Sequence, residues 1–179
     1  MVVLSGVETL YRVLGTGVKR SQPVPPVVPP PRRTGILIRM STEPSPFELT
    51  IPVKPEDIDE LGHASNIVYL RWVQDVAVAH WRSLAPPEEL ARLWWVVLRH
   101  EIDYKHPARL GDQIMARTWV GAASRLRFER HTELLRAADR CLLARAHTLW
   151  CPIDATTRKP VSVGPEVRAR FSVAEGGAL

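Results

Sequence analysis

The run 66–82 constrains this chain most, because it is apolar on nearly every side. Ile67, Val68, Tyr69, Leu70, Trp72, Val73, Val76, Ala77, Val78, Ala79 and Trp81 fall within it, while Arg71, Gln74, Asp75 and Arg82 recur at helical offsets. Those polar side chains form one narrow stripe on an α-helix, with Arg71 and Asp75 spaced to pair at i, i+4. A helix with so little wet surface must be enclosed by other structure. It cannot be a membrane span, because no uninterrupted apolar run in the chain approaches the roughly 18 residues that a span needs. The reading is a core helix, and the question becomes what surrounds it.

The flanking sequence supplies strands. Residues 47–53 read as one strand before the helix, and 94–104, 112–120, 125–135 and 140–153 read as four after it. In the third of these, Leu126, Phe128, Thr132 and Leu134 partly alternate with Arg125, Arg127, Glu129, His131 and Glu133, as in a half-exposed antiparallel strand. Gly111-Asp112, the stretch 121–124 and Ala138-Asp139 have the composition of hairpin turns. One strand, one long buried helix and four strands imply an α+β fold in which an antiparallel sheet wraps the helix.

The chain has 179 residues, 45% of them hydrophobic, enough for one domain with a proper core. We assign that domain to residues 41–179. Residues 1–40 differ: Pro23, Pro25, Pro26, Pro29, Pro30 and Pro31 forbid a helix interior or a central strand. They are expected to be a disordered basic extension, an upstream start preceding Met40, or a transit segment. The net charge of +5 also belongs there, since residues 1–40 carry six basic side chains against Glu8. The remainder holds 18 of each sign, which argues against a nucleic-acid partner. Cys141 and Cys151 read as inert thiols in a reducing, cytoplasmic compartment.

The chemistry-bearing stretch lies just before the helix, from Asp57 to Tyr69. It contains carboxylates, a turn glycine, a histidine and a helix start capped by Ser65 or Asn66. A helix N-terminus presents backbone N–H groups that favour negative charge. A carboxylate held close by, with a carbonyl between the two, would make a nucleophile or base facing an oxyanion site. Spacing alone is also satisfied by ordinary turn chemistry.

The pattern Asp59-x-x-Gly62-His63-x-x-Asn66-x-x-Tyr69 resembles the motif of the 4-hydroxybenzoyl-CoA thioesterase-like family of hotdog proteins. His100-Glu-Ile-Asp-Tyr104, Pro107, Gly111-Asp112 and Asp154-x-x-Thr157-Arg158-x-Pro160 follow in the matching order. The resemblance implies a hotdog fold and acyl-CoA thioester hydrolysis with no cofactor; no metal is expected, because no His, Cys and carboxylate cluster has ligand spacing. It makes Asp59 the catalytic carboxylate, the Asn66 backbone N–H the group that polarises the thioester carbonyl, and His63 a site-lining or orienting group. Gly62, Ser65 and Tyr69 fall among the expected substrate contacts. Many relatives carry His-Val-Asn-Asn where this chain has His63-Ala64-Ser65-Asn66, a departure that bears on substrate contacts more than on the chemistry. Asp57 reads as a solvated loop charge, and Asp75 as part of the exposed stripe.

Arg125 and Arg127, straddling a turn and a strand start, are candidates for the CoA phosphates, with Arg130 a weaker one. The resemblance further implies a homodimer or homotetramer with sites at the subunit interface. Two rival readings stand beside it: an acyl-carrier-protein thioesterase, and a catalytically silent acyl-CoA-binding module.

Overall fold

Phe47, Leu49 and Ile51 alternate with Glu48, Thr50 and Pro52 in the first strand, β1 (Phe47–Pro52), and it is the first set that is half-buried. That period of two marks a strand with one face on a core. In the computed structural model, which describes residues 46–171, a short 3-10 turn (Pro55–Asp57) leads to the long helix α1 (Asn66–Leu84) and a short one, α2 (Pro87–Arg92). Strands β2 (Leu93–Tyr104), β3 (Gln113–Ala123), β4 (Phe128–Arg136) and β5 (Leu142–Asp154) follow, then α3 (Pro165–Arg170). The extension expected over residues 1–40 lies outside the described residues.

The strands form one sheet in the order β1-β3-β4-β5-β2, with every neighbouring pair antiparallel. β1 and β2 are its edges. The α+β architecture read from the sequence is therefore the observed one, a five-stranded antiparallel sheet against one long helix. Some boundaries differ. Residues 125–127 belong to the turn between β3 and β4, not to a strand, and the Pro-flanked loop after α1 contains the single helical turn and a half of α2.

Local chemistry explains where α1 begins and ends. Ser65 is the N-cap by its extended backbone (φ −65, ψ 153), but its side chain makes no capping hydrogen bond. At the other end Ala85 precedes Pro86, and a residue before proline is pushed out of the α region. Ala85 is extended (φ −73, ψ 136), and its N–H closes the last turn on the Trp81 carbonyl.

One face of α1, Val68, Tyr69, Trp72, Val73, Val76, Ala77, His80 and Trp81, is buried. Its first half packs with Ile114, Ala116, Leu134, Leu143, Ala144 and Ala146 of the sheet. Its second half packs with Leu93, Val97, Phe128 and Trp150, closed off by Val163, Val167 and Phe171 around α3. Enclosure is less complete than the sequence suggested, since Ile67 is 72% exposed. Arg71 also bonds to Asp57 in preference to its i, i+4 neighbour Asp75.

Trp72 is wholly buried at the centre of this packing, so Trp72→Ala should cost about 3–5 kcal/mol of stability. Ile67→Ala on the exposed side should stay within about 0.5 kcal/mol. Urea denaturation of the two variants beside the wild type measures both, and equal losses would contradict the assigned packing.

Candidate active site

The segment between β1 and α1 folds back on itself through its own backbone. The Asp59 N–H donates to the His63 carbonyl (2.8 Å) and the Gly62 N–H to the Asp59 carbonyl (3.0 Å). Gly62 sits at φ +73, a conformation that L side chains rarely adopt, so the glycine here serves the turn. The Asp59 carboxylate accepts from the Leu61 N–H (2.9 Å) and the His63 N–H (3.4 Å) through the same oxygen, Oδ1. An Asx-type turn thus orients the carboxylate while the residue itself stays exposed.

Two anchors hold this loop to the body. Asp57 is 1% exposed and bonds to the Arg71 guanidinium on α1, so it is a buried ion-pair partner, not a solvated loop charge. It also accepts from the Lys54 N–H (3.0 Å), and its carbonyl accepts from the Ser65 N–H (2.9 Å). Burial opposes its ionisation. The Lys54 N–H and the Arg71 guanidinium outweigh that, and the carboxyl is held below the usual range. The second anchor is Tyr69, whose buried hydroxyl accepts from the Ala108 N–H (2.7 Å) and donates to the His106 carbonyl (3.3 Å). Ala64 N–H bonds to the Ala108 carbonyl at 2.9 Å, which ties the same two segments together.

The result is a cleft of about 300 Å³ lined by Asp59, His63, Ala64, Asn66, Tyr69, Tyr104, Lys105, His106 and Pro107. Asn66 is the first residue of α1. The first turn of an α-helix directs its N–H groups outward along the axis, where they favour negative charge. The cleft therefore sets a carboxylate beside the positive end of a helix, the pairing that carbonyl substitution needs.

Of the candidate residues, Asp59, His63, Asn66 and Tyr69 come together in this cleft, and Gly62 forms the turn that carries them. Ser65 caps the helix by its backbone. Arg125 and Arg127 lie elsewhere. They sit on the β3–β4 turn, whereas the Asp59 loop follows the opposite end of β1, which pairs with the start of β3. Eleven residues of β3 separate the two ends, roughly 36 Å of strand. Arg130 is 9% exposed inside the core, and so cannot meet a phosphate at the surface. The cleft residues that the sequence did not single out are Lys105 and His106. They reach the site because their N–H groups bond to the Leu143 carbonyl and Tyr69 holds the His106 carbonyl and the Ala108 N–H.

Among the described residues one set could gather around a metal ion: Glu129, His131 and His147. It lies on the sheet face away from α1, not in the cleft. Register brings it together, since His131 of β4 is paired with His147 of β5, and no spacing in the chain announced it. His147 also lies 3.6 Å from Glu101 and 3.7 Å from Glu129, as in an ordinary charge network. Cys141 and Cys151 are both unbridged, and burial pushes the Cys151 thiol up.

The sequence profile of the thioesterase-like superfamily matches residues 53–171. A curated relative, the chloroplastic palmitoyl-acyl carrier protein thioesterase of Gossypium hirsutum, is 25% identical over 134 residues, covering 70% of this chain. The chain spans only about a third (32%) of that protein's length. Among the solved structures that share the fold are two thioesterases. One is a 1,4-dihydroxy-2-naphthoyl-CoA thioesterase from Synechocystis, with TM-score 0.62, 21% identity, and 74% of this chain and 99% of that one covered. The other is a Thermus thermophilus thioesterase complexed with coenzyme A and Zn, with TM-score 0.63, 21% identity, and 72% and 98% covered.

The Asp57 anchor generates a pH prediction. Its folded pKa lies below the unfolded value, so its stabilisation is present above about pH 4 and is lost as pH falls through the folded value. Asp57→Asn should cost about 1.5–3 kcal/mol at pH 7 and should flatten the acid limb of the stability curve. Denaturant melts between pH 7 and pH 3 test this; an unchanged acid limb would remove Asp57 from the role.

Proposed function

The chain belongs to the thioesterase-like superfamily, and from that premise we propose that it hydrolyses an acyl-CoA thioester to the free acid and CoA with Asp59 as the catalytic carboxylate. The observation that carries this reading is the sharing of one cleft by Asp59, His63 and the first turn of α1. A thioester carbonyl seated there would have the carboxylate on one side and helix N–H groups on its oxygen.

Two routes fit. Asp59 could attack the carbonyl carbon, expelling the CoA thiolate and leaving an acyl-aspartyl anhydride that water then opens. Alternatively it could take a proton from water as that water attacks, with the thiolate leaving from the tetrahedral intermediate. The Asn66 N–H is assigned to the oxyanion in both, and His63 to the wall that orients the substrate. Lys105, on the rim, is the cation at this end best placed for a CoA phosphate.

We assign a homodimer or homotetramer on the strength of β2. Among the described residues it is an edge strand of twelve residues, and a long sheet edge is a ready template for a second chain. Antiparallel pairing of two β2 edges would bring the β3–β4 turn end of one copy towards the Asp59 end of the other. Arg125 and Arg127 would then serve the partner's cleft. The unbridged cysteines suit a cytoplasmic location, and no helix among the described residues is long and apolar enough to cross a membrane.

The acyl-carrier-protein reading is favoured by one observation, the name of the Gossypium hirsutum relative. A silent acyl-CoA-binding module would bind ligand without turnover.

Free-thiol release from short, long, branched and aromatic acyl-CoAs, beside matched acyl-carrier substrates, tests these readings. Turnover should fall by about a hundredfold or more in Asp59→Asn. Equal activity in both proteins would remove Asp59 from its role, and binding without turnover would favour the silent module. In a single turnover in labelled water, label entering Asp59 marks attack by the carboxylate. Light scattering at micromolar protein should give a dimer mass or larger; a monomer would defeat the edge-pairing assignment.

A further inference from the structure

A cation is buried in the second half of the core with no counter-charge among the described residues. Arg130 extends from β4 towards α1 and is 9% exposed. Its Nη1 donates to His80 Nδ1 (3.0 Å) and Thr118 Oγ1 (3.2 Å). Its other N–H groups meet no acceptor, and no carboxylate pairs with it, among the described residues. Burial lowers the Arg130 guanidinium only to about 10, so it remains charged at neutral pH. Burial and the adjacent guanidinium push the His80 imidazole down to about 4, leaving a neutral ring to accept the bond. Buried charges are ordinarily paired, because taking an ion out of water is costly.

Arg130 lines a cavity of about 40 Å³ with Trp81, Trp95, Phe128, Trp150 and Phe171. The indole N–H groups of Trp95 and Trp150 are buried and unbonded as well. The rings interlock: Trp95 meets Trp81 at 5.3 Å and Phe128 at 5.1 Å, and Trp81 stacks on Phe171 at 5.5 Å. The other cation on the wall, Arg168, is bonded to the Val163 and Ser124 carbonyls. The acidic residue there, Glu129, directs its carboxylate to His147 on the opposite sheet face. The wall thus offers donors from a charged guanidinium, set in an aromatic box.

The chemical complement of such a wall is a small anion with an apolar body. We propose that this cavity is a binding site for a compact organic carboxylate, held by Arg130 within the aromatic box. The space exceeds the roughly 10–15 Å³ that a single water needs, and it limits the occupant to a short or single-ring acid. The site is separate from the Asp59 cleft. That cleft meets α1 at Asn66 and the cavity meets it at Trp81, about 22 Å apart along the helix axis.

The test uses the full chain, with propionate and benzoate as probes and propanol and benzyl alcohol as neutral matches. Tryptophan fluorescence reads binding directly, because three indoles line the cavity, and thermal melts give a second readout. Saturable binding of at least one acid is expected in wild type and in Asp59→Asn, with the matching alcohol weaker by about tenfold or more. Arg130→Met should weaken acid binding by about tenfold or more and leave alcohol binding unchanged. Should Arg130→Met fail to fold, the acid-to-alcohol ratio in the wild type decides the matter. No saturable response to either acid, as water filling the cavity would give, overturns the proposal. So does equal binding of acid and alcohol, or acid binding unchanged by Arg130→Met. Retention in Asp59→Asn keeps this result independent of the thioesterase reading.

Discussion

Burial of one face of α1 against the five-stranded sheet is the interaction on which the rest depends. Trp72 and Val76 are wholly enclosed, and Val73 nearly so. At about 25 cal/mol per Å² of apolar surface removed from water, side chains of this size supply the dominant favourable term. The same packing fixes the helix axis relative to the strands. With the axis fixed, the N-terminus of α1 can open only at the end of the sheet where β1 finishes and β3 begins. The site is a consequence of where that end falls.

The loop before α1 is held by a few specific bonds, not by apolar bulk. Asp57 ties it to Arg71 on the helix, and Tyr69 ties the helix to the 106–108 segment. Arg136 adds a further tie on the sheet side, bonding to Asp112, Asp139 and the Pro107 carbonyl. Gly111, at φ +90, lets the chain turn tightly between them. Asp57 and Tyr69 are buried, where a hydrogen bond left unmade is expensive. Asp59 can stay exposed and still be oriented, because its neighbours carry the structural burden.

Period and composition made the elements legible. The crowded apolar pattern marked α1, and alternation marked the strands, so class and element order followed. Boundaries failed where local chemistry was ambiguous. Arg125 to Arg127 alternate like a strand yet form the turn, because the Phe128 ring, not Leu126, is the first inward anchor of β4. Asp57 was misread for a related reason. An aspartate in a turn-like stretch looks solvated until the partner fourteen residues later is placed against it. Arg130 was read as a weaker candidate for the CoA phosphates, although its parity with Phe128 and Thr132 belongs to the inward set. Here it occupies an inward position, with His80 and Thr118 as its acceptors.

By itself, the sequence determined a long apolar helix, five strands around it and a carboxylate-glycine-histidine stretch at the helix start. Those are local properties, written in periodicity, turn residues and capping chemistry. Only the tertiary structure decided which side chains share a space. It placed Lys105 and His106 beside Asp59, sent Arg125 and Arg127 to the far end of the sheet, and enclosed Arg130 among three indoles. Strand register and helix position are set by packing summed over the whole core, so proximity between distant residues has no signature in any one stretch of chain.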